Sequence, residues 1–296
     1  DKPEIYLNYG LALAKLGELD KGLEQMKLAL DAKTDLPELW ASLGSLYQGS
    51  GRLEDAIVHY REFIRRFPNR PEAIIIADVI KVLESEVKIS KSYGAAAAKE
   101  NTGKDYYAAI TRGGAKLWPA KRMPLKVHIQ SGDGIPGFKP GYAEILRTAF
   151  DEWSKASQGK VTFRFVDNGA DADIRCSWTN DPSKLQNRAE RGETLFLSDR
   201  NGVMQAARVV ILTVPLIERH GVTDNQIRLI SLHEVGHALG LSGHSPNPVD
   251  VMFFGESPAD IKRDLSERDR QTILRLYALP NASSGSSSPK PPSRSR

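Results

Sequence analysis

The segment HEVGHALGLSGH, residues 233–244, holds residues whose types and spacing could do chemistry together. His233 and His237 are four apart, so on a helix their imidazoles project from one face about one turn apart. Two imidazoles so placed can hold one zinc ion at roughly 2.0–2.1 Å each. Glu234, beside the first of them, would stand where it can take a proton from a water on the metal. Zinc lowers the pKa of such a water to about 7, so the glutamate need not be an unusually strong base. A lone histidine here would read as packing. A pair, with the carboxylate in register and a glycine behind it, reads as a hydrolytic metal site.

A catalytic zinc takes a third protein ligand and keeps one position open. Gly240 lies three residues after His237 and can adopt the left-handed conformation that turns the chain back under the metal. The next histidine, His244, is the expected third ligand. Two other arrangements meet the same need: Asp250 as an oxygen ligand, or two histidines completed by waters.

These residues must be carried by definite elements. TDNQIRLISLHEVGHALGL, from Thr223, opens on capping residues and puts Ile227, Ile230 and Leu239 on an apolar face, which predicts a helix. Upstream, LKVHIQ (125–130) alternates as a strand, and PGYAEILRTAFDEWSKAS (140–157) has a helical apolar face at Ile145, Ala149, Phe150 and Trp153. VTFRFV (161–166), ADIRCSW (172–178), ETLFLS (193–198) and AARVVILTV (206–214) read as strands bounded by turn residues. That order implies an α/β sandwich with a twisted, mixed, mostly parallel sheet and an active-site helix, occupying 121–280.

HEVGHALGLSGHSPNPVDVM resembles the zinc motif of the metzincins, and of their matrixin branch in particular, HExxHxxGxxH followed by a tight turn ending in Met. This chain carries one residue more between Gly240 and the third histidine. Counted from His244, however, Ser245, Pro248 and Met252 stand at the family's offsets, which confines the extra residue to Leu241-Ser242-Gly243. The resemblance extends to AFDEWSKAS, VTFRFV, ADIRCSW and the closing DLSERDRQTILRLYAL (264–279). It implies an endopeptidase with one catalytic zinc on His233, His237 and His244, Glu234 as general base, and Met252 and Gly240 as structural supports. It further implies that ETLFLS is an edge strand for an extended peptide, and that FFGESPADIKRD, after Met252, walls the pocket beyond the scissile bond. Matrixins usually hold a second, structural zinc. The remaining histidines, His59, His128 and His220, lie in unrelated contexts, so none is expected here. Calcium ligands are available in DNGADAD (167–173), but turn chemistry accounts for those residues. Matrixins usually act outside the cytoplasm, which is the expected location.

The first 70 residues repeat at an offset of 34: Tyr6 with Trp40, Gly10 with Gly44, Gly22 with Ala56, Met26 with Tyr60. This period and pattern resemble the tetratricopeptide repeat, and the second copy shows Trp40, Leu43, Gly44, Tyr47, Ala56, Tyr60 and Pro68 at the family's positions. PEAIIIADVIKVLESEV, from Pro71, reads as a further helix closing the stack. The implied domain, 1–87, offers a face for a protein or peptide partner. Residues 88–120 lack periodicity and read as a linker with one short helix near Tyr106. Residues 281–296 are Ser/Pro-rich and read as a disordered tail.

The formal charge of +4 argues for no nucleic-acid partner, since Lys290, Arg294 and Arg296 in the tail supply three of those charges. No apolar run approaches a membrane span. The single cysteine, Cys176, excludes an internal disulfide and reads as a packed thiol. A start at Asp1 without Met suggests a fragment or processed form. Two functions from different classes fit: a zinc endopeptidase whose repeats recruit a partner or substrate, and a repeat-based adaptor whose zinc domain is structural or inactive. Glu234 favours the first, because a purely structural site has no use for it.

Overall fold

The computed structural model describes residues 2–32, 35–186, 191–215, 221–253 and 263–278. The expected disordered tail, His220, and most of the segment expected to wall a substrate pocket lie outside them.

Two helical hairpins open the chain. Helices α1 (Lys2–Lys15) and α2 (Leu19–Asp31) are followed by α3 (Pro37–Gly49) and α4 (Leu53–Arg66). The 34-residue period has a steric cause. Gly10 and Gly22 face each other so closely that a Cβ on either would lie 2.7 or 2.6 Å from the other's carbonyl oxygen. One period later Gly44 lies against the Tyr60 ring, where a Cβ would meet it at 2.5 Å. Tyr60 is buried and donates its hydroxyl to Gln48 at 3.0 Å. Helix α5 (Glu72–Thr102) closes this core with Ile76, Val79, Ile80 and Leu83.

Residues 88–120 differ from the expected linker. Helix α5 continues to Thr102, because KSYGAAAAKE is rich in strong helix formers even without an apolar stripe. Around α6 (Tyr107–Ile110), the segment feeds the second core: Tyr106, Ile110 and Trp118 are all essentially inaccessible. Isolated aromatics among lysines and glycines carry this burial, and a periodicity argument does not register them.

The second unit follows the expected order: β1 (Leu125–Ile129), α7 (Gly141–Ala156), β2 (Phe163–Phe165), β3 (Ile174–Thr179), β4 (Gly192–Ser198), β5 (Met204–Leu212), α8 (Asp224–Ala238) and α9 (Glu267–Leu276). The five strands lie in the order β2-β1-β3-β5-β4. All pairings are parallel except β4 with β5, so β4 is an antiparallel edge. Phe150 and Trp153 of α7 are wholly buried, and the Trp153 indole donates to the Leu232 carbonyl of α8 at 2.8 Å, locking the two helices together. On α8, Arg228 grips Glu152 of α7 through Nη2, 2.9 Å from Oε2. Cys176 is buried beneath these helices, and burial pushes its thiol well above the usual range. No helix among the described residues is long and apolar enough to cross a membrane.

Candidate metal centre

Helix α8 begins with a full capping box, in which the Thr223 hydroxyl accepts from the Gln226 backbone and the Gln226 side chain accepts from the Thr223 amide. Its other end is closed by a Schellman motif: the Gly240 amide donates to His237 O at 2.9 Å and the Leu241 amide to Gly236 O at 3.2 Å. Two further carbonyls of that last turn are met by side chains. Trp118 Nε1 donates to Ala238 O and the Tyr277 hydroxyl to Leu239 O, both at 2.8 Å. The helix that presents the chemistry is therefore fastened at both ends.

Gly240 has φ +97°, and a Cβ there would lie 2.0 Å from the Lys116 carbonyl oxygen. Strain and backbone overlap act together, so Gly240→Ala should cost roughly 2–4 kcal/mol. Urea unfolding of the variant checks this, and an unchanged midpoint would show that the turn is not a constraint.

His233, His237 and His244 come together: one nitrogen from each lies within 4.8 Å of the others. Each of the first two is oriented by a backbone carbonyl. His233 Nδ1 is 2.9 Å from Val251 O, and His237 Nδ1 is 2.6 Å from Leu241 O. A carbonyl can only accept, so each Nδ1 carries the proton and each Nε2 presents a lone pair. The two Nε2 atoms face each other at 3.1 Å. Two lone pairs opposed in this way repel unless a cation lies between them. Nitrogens bound to one tetrahedral zinc stand about 3.3 Å apart, so the spacing fits. Burial pushes all three imidazoles below the usual histidine range, His237 to about 3 with the neighbouring His233 adding to the effect. Neutral imidazole is the form that ligates a metal.

Glu234 is 5% exposed and points at the edge strand. Thr194 Oγ1 lies 2.7 Å from its Oε2 and 2.9 Å from its backbone oxygen, fixing the carboxylate against β4. Gly192 makes the room, since a Cβ there would lie 2.6 Å from Glu234 Cγ. The sequence reading assigned roles to neither Thr194 nor Gly192, although both sit at the strand end nearest the zinc motif.

Met252 is wholly buried under the site. Gly236, an x position of the motif, is what lets it in: a Cβ there would lie 2.3 Å from Met252 Sδ. The loop from His244 to Met252 is closed by Ser245 N donating to Met252 O at 2.8 Å. Asp250, held open above as a ligand, is instead the loop's internal anchor. Fully buried, it accepts from Ser245 Oγ, from Ser266 Oγ at 2.6 Å and from Arg268 Nε at 2.9 Å. Asp269, at the start of α9, accepts from Val251 N at 3.0 Å and from the Tyr106 hydroxyl at 2.5 Å. A backbone donor and a hydroxyl thus tie α9, the turn and residue 106 together.

The extra residue is absorbed in the same way. Leu241 is buried in the core and lends its carbonyl to His237, while Ser242 Oγ donates to Ile110 O at 2.8 Å. Gly243 packs flat on α6, where a Cβ would lie 2.7 Å from Ala109 O. The bulge is thus seated on a segment whose packing the sequence did not reveal.

Elsewhere, DNGADAD forms a turn in which Asn168 caps Ala170 N at 2.9 Å, while Arg175 donates to the carbonyls of Gly169 and Ala170. His59 is held by the Asp55 carbonyl beside Trp40 and Tyr47, and His128 by the Val166 carbonyl.

Residues 139–278 match the family model for matrixin, and residues 3–35 and 37–70 each match that for the tetratricopeptide repeat. A probable matrix metalloproteinase, 095L, of Invertebrate iridescent virus 3 is 29% identical over 153 residues, covering 47% of this chain and 38% of the viral protein. The chain therefore spans less than two-fifths of the length of that relative.

Proposed function

We propose that this chain, which joins two tetratricopeptide repeats to a matrixin domain, is a zinc-dependent endopeptidase acting on peptide bonds in proteins, with the repeats recruiting a substrate or partner. The observation that carries the reading is the clustering of His233, His237 and His244 on and after α8, with Glu234, the residue after His233 in that helix, held by Thr194 of the edge strand. His233, His237 and His244 would hold the ion. Bound zinc would supply Lewis acidity and a water of lowered pKa at neutral pH.

The chain's own residues supply the rest. Glu234 accepts the proton of the attacking water and passes it to the leaving amine. Thr194 donates to one carboxylate oxygen and holds the group against β4. Strand β4, paired on one side only among the described residues, can receive an extended peptide as an added strand, which would run it past Glu234. Met252 binds nothing and fills the floor. Family likeness is also the ground for placing this activity outside the cytoplasm.

Chelation tests the reading directly. Cleavage of an unfolded protein substrate such as casein should stop after dialysis against a chelator and return with one equivalent of zinc. Undiminished cleavage by protein shown to be metal-free by mass spectrometry would overturn it.

A further inference from the structure

Each of the first two imidazoles has its Nδ1 held from behind by a carbonyl of the protease unit. His244 lies against the repeat domain. Its Nδ1 lies 3.9 Å from Oε1 of Glu86, a residue of α5 in the repeat domain. Both side chains are largely covered, at 28% exposed for His244 and 26% for Glu86. The carboxylate is within reach of a hydrogen bond through its terminal torsion, which is broad for glutamate, or through one bridging water.

Independent contacts hold this loop against the repeat domain. Pro248 lies on Gly51, where a Cβ would be 3.2 Å from Pro248 Cγ. Phe253, immediately after the turn methionine, is 4% exposed and belongs to the hydrophobic core of the repeat domain, not that of the protease. The stretch 244–253 is thus packed on the repeat domain at Pro248 and Phe253, with Glu86 beside its first residue.

We propose that Glu86 is a positioning residue of the metal centre, so that the repeat domain completes the site. The carboxylate accepts from Nδ1–H of His244, fixes the tautomer that turns Nε2 toward the ion, and raises the basicity of the ring. Carboxylates behind ligating histidines act in this way at other metal sites. The proposal rests on the zinc reading above, with His244 as ligand.

The test uses the full chain with Glu86→Ala and Glu86→Gln. Zinc affinity is measured by competition with a chromophoric chelator, the coordination geometry by the visible spectrum of the cobalt(II)-loaded protein, and the metal-free fold by urea unfolding. Glu86→Ala should weaken zinc binding about 10- to 100-fold and shift the cobalt bands, with the metal-free unfolding midpoint unmoved. Glu86→Gln, which keeps an acceptor oxygen and most of the packing, should recover part of the affinity and serves if the alanine variant fails to fold. Unchanged zinc affinity and cobalt spectrum in the folded variants would overturn the proposal. So would a rise in peptide cleavage at constant affinity, which would make Glu86 a plug in the open position. A wild-type chain that binds no zinc would overturn the zinc reading and this proposal together. Zinc lost in His244→Ala but retained in Glu86→Ala would overturn this proposal alone.

Discussion

Glu234→Ala should lower kcat/KM for protein cleavage by about 10²–10⁴-fold while one equivalent of zinc stays bound. The side chain stands next to His233 and is not one of the three clustered nitrogens, so in the proposed mechanism its removal takes away the proton acceptor and leaves the donor set. It is also 5% exposed and held by Thr194, so truncation leaves a small void and a hydroxyl without that acceptor. Some loss of stability will accompany the loss of rate. Glu234→Gln separates the two effects, because the amide oxygen still accepts from Thr194 but the group cannot take a proton at neutral pH. Both variants should retain zinc by metal analysis and lose turnover. Full activity in the glutamine variant would remove Glu234 from the mechanism.

His244→Ala should weaken zinc binding by a hundredfold or more. Structural zinc sites gain roughly 10–16 kcal/mol from four ligands, so one ligand is worth about 3 kcal/mol. The alternatives raised by the sequence predict otherwise. Were Asp250 the third ligand, His244→Ala would leave affinity almost intact. Asp250, however, is committed to Ser245, Ser266 and Arg268, and turning it toward a metal would break all three bonds. Chelator competition on the two variants, His244→Ala and Asp250→Asn, decides the matter. An undiminished affinity in the first would exclude His244 from the coordination sphere.

The parts legible in the sequence share a physical property: their signal is local and periodic. The 34-residue repeat shows because each hairpin needs the same small residues where its helices touch, Gly10 and Gly22, then Gly44. His233, Glu234 and His237 show because helix geometry converts a spacing of four into a shared face. The alternating strands and the order of elements predicted a mostly parallel sheet, and the sheet is parallel apart from its β4 edge. Ser245, Pro248 and Met252 kept their register against His244, which located the extra residue to within three positions.

What remained was decided by contacts between residues far apart in the chain. Gly192 and Thr194 shape the place of Glu234 from 40 or more residues upstream, and nothing in ETLFLS announces it. Residues 106–118 read as linker because their aromatics are isolated, yet Tyr106 anchors Asp269 and Trp118 caps α8. Whether Leu241-Ser242-Gly243 could return His244 to its partners was a question of what lies beneath the bulge. The answer is α6, through Ser242 on Ile110 and Gly243 against Ala109. A carboxylate of the repeat domain beside His244 belongs to the same class. The sequence specified which groups can do the chemistry, because that depends on residue type and on spacing within one helix. Only the folded chain could specify what holds those groups in place, because buried donors and acceptors find partners by proximity in space, and proximity across 40 to 160 residues leaves no periodic trace along the chain.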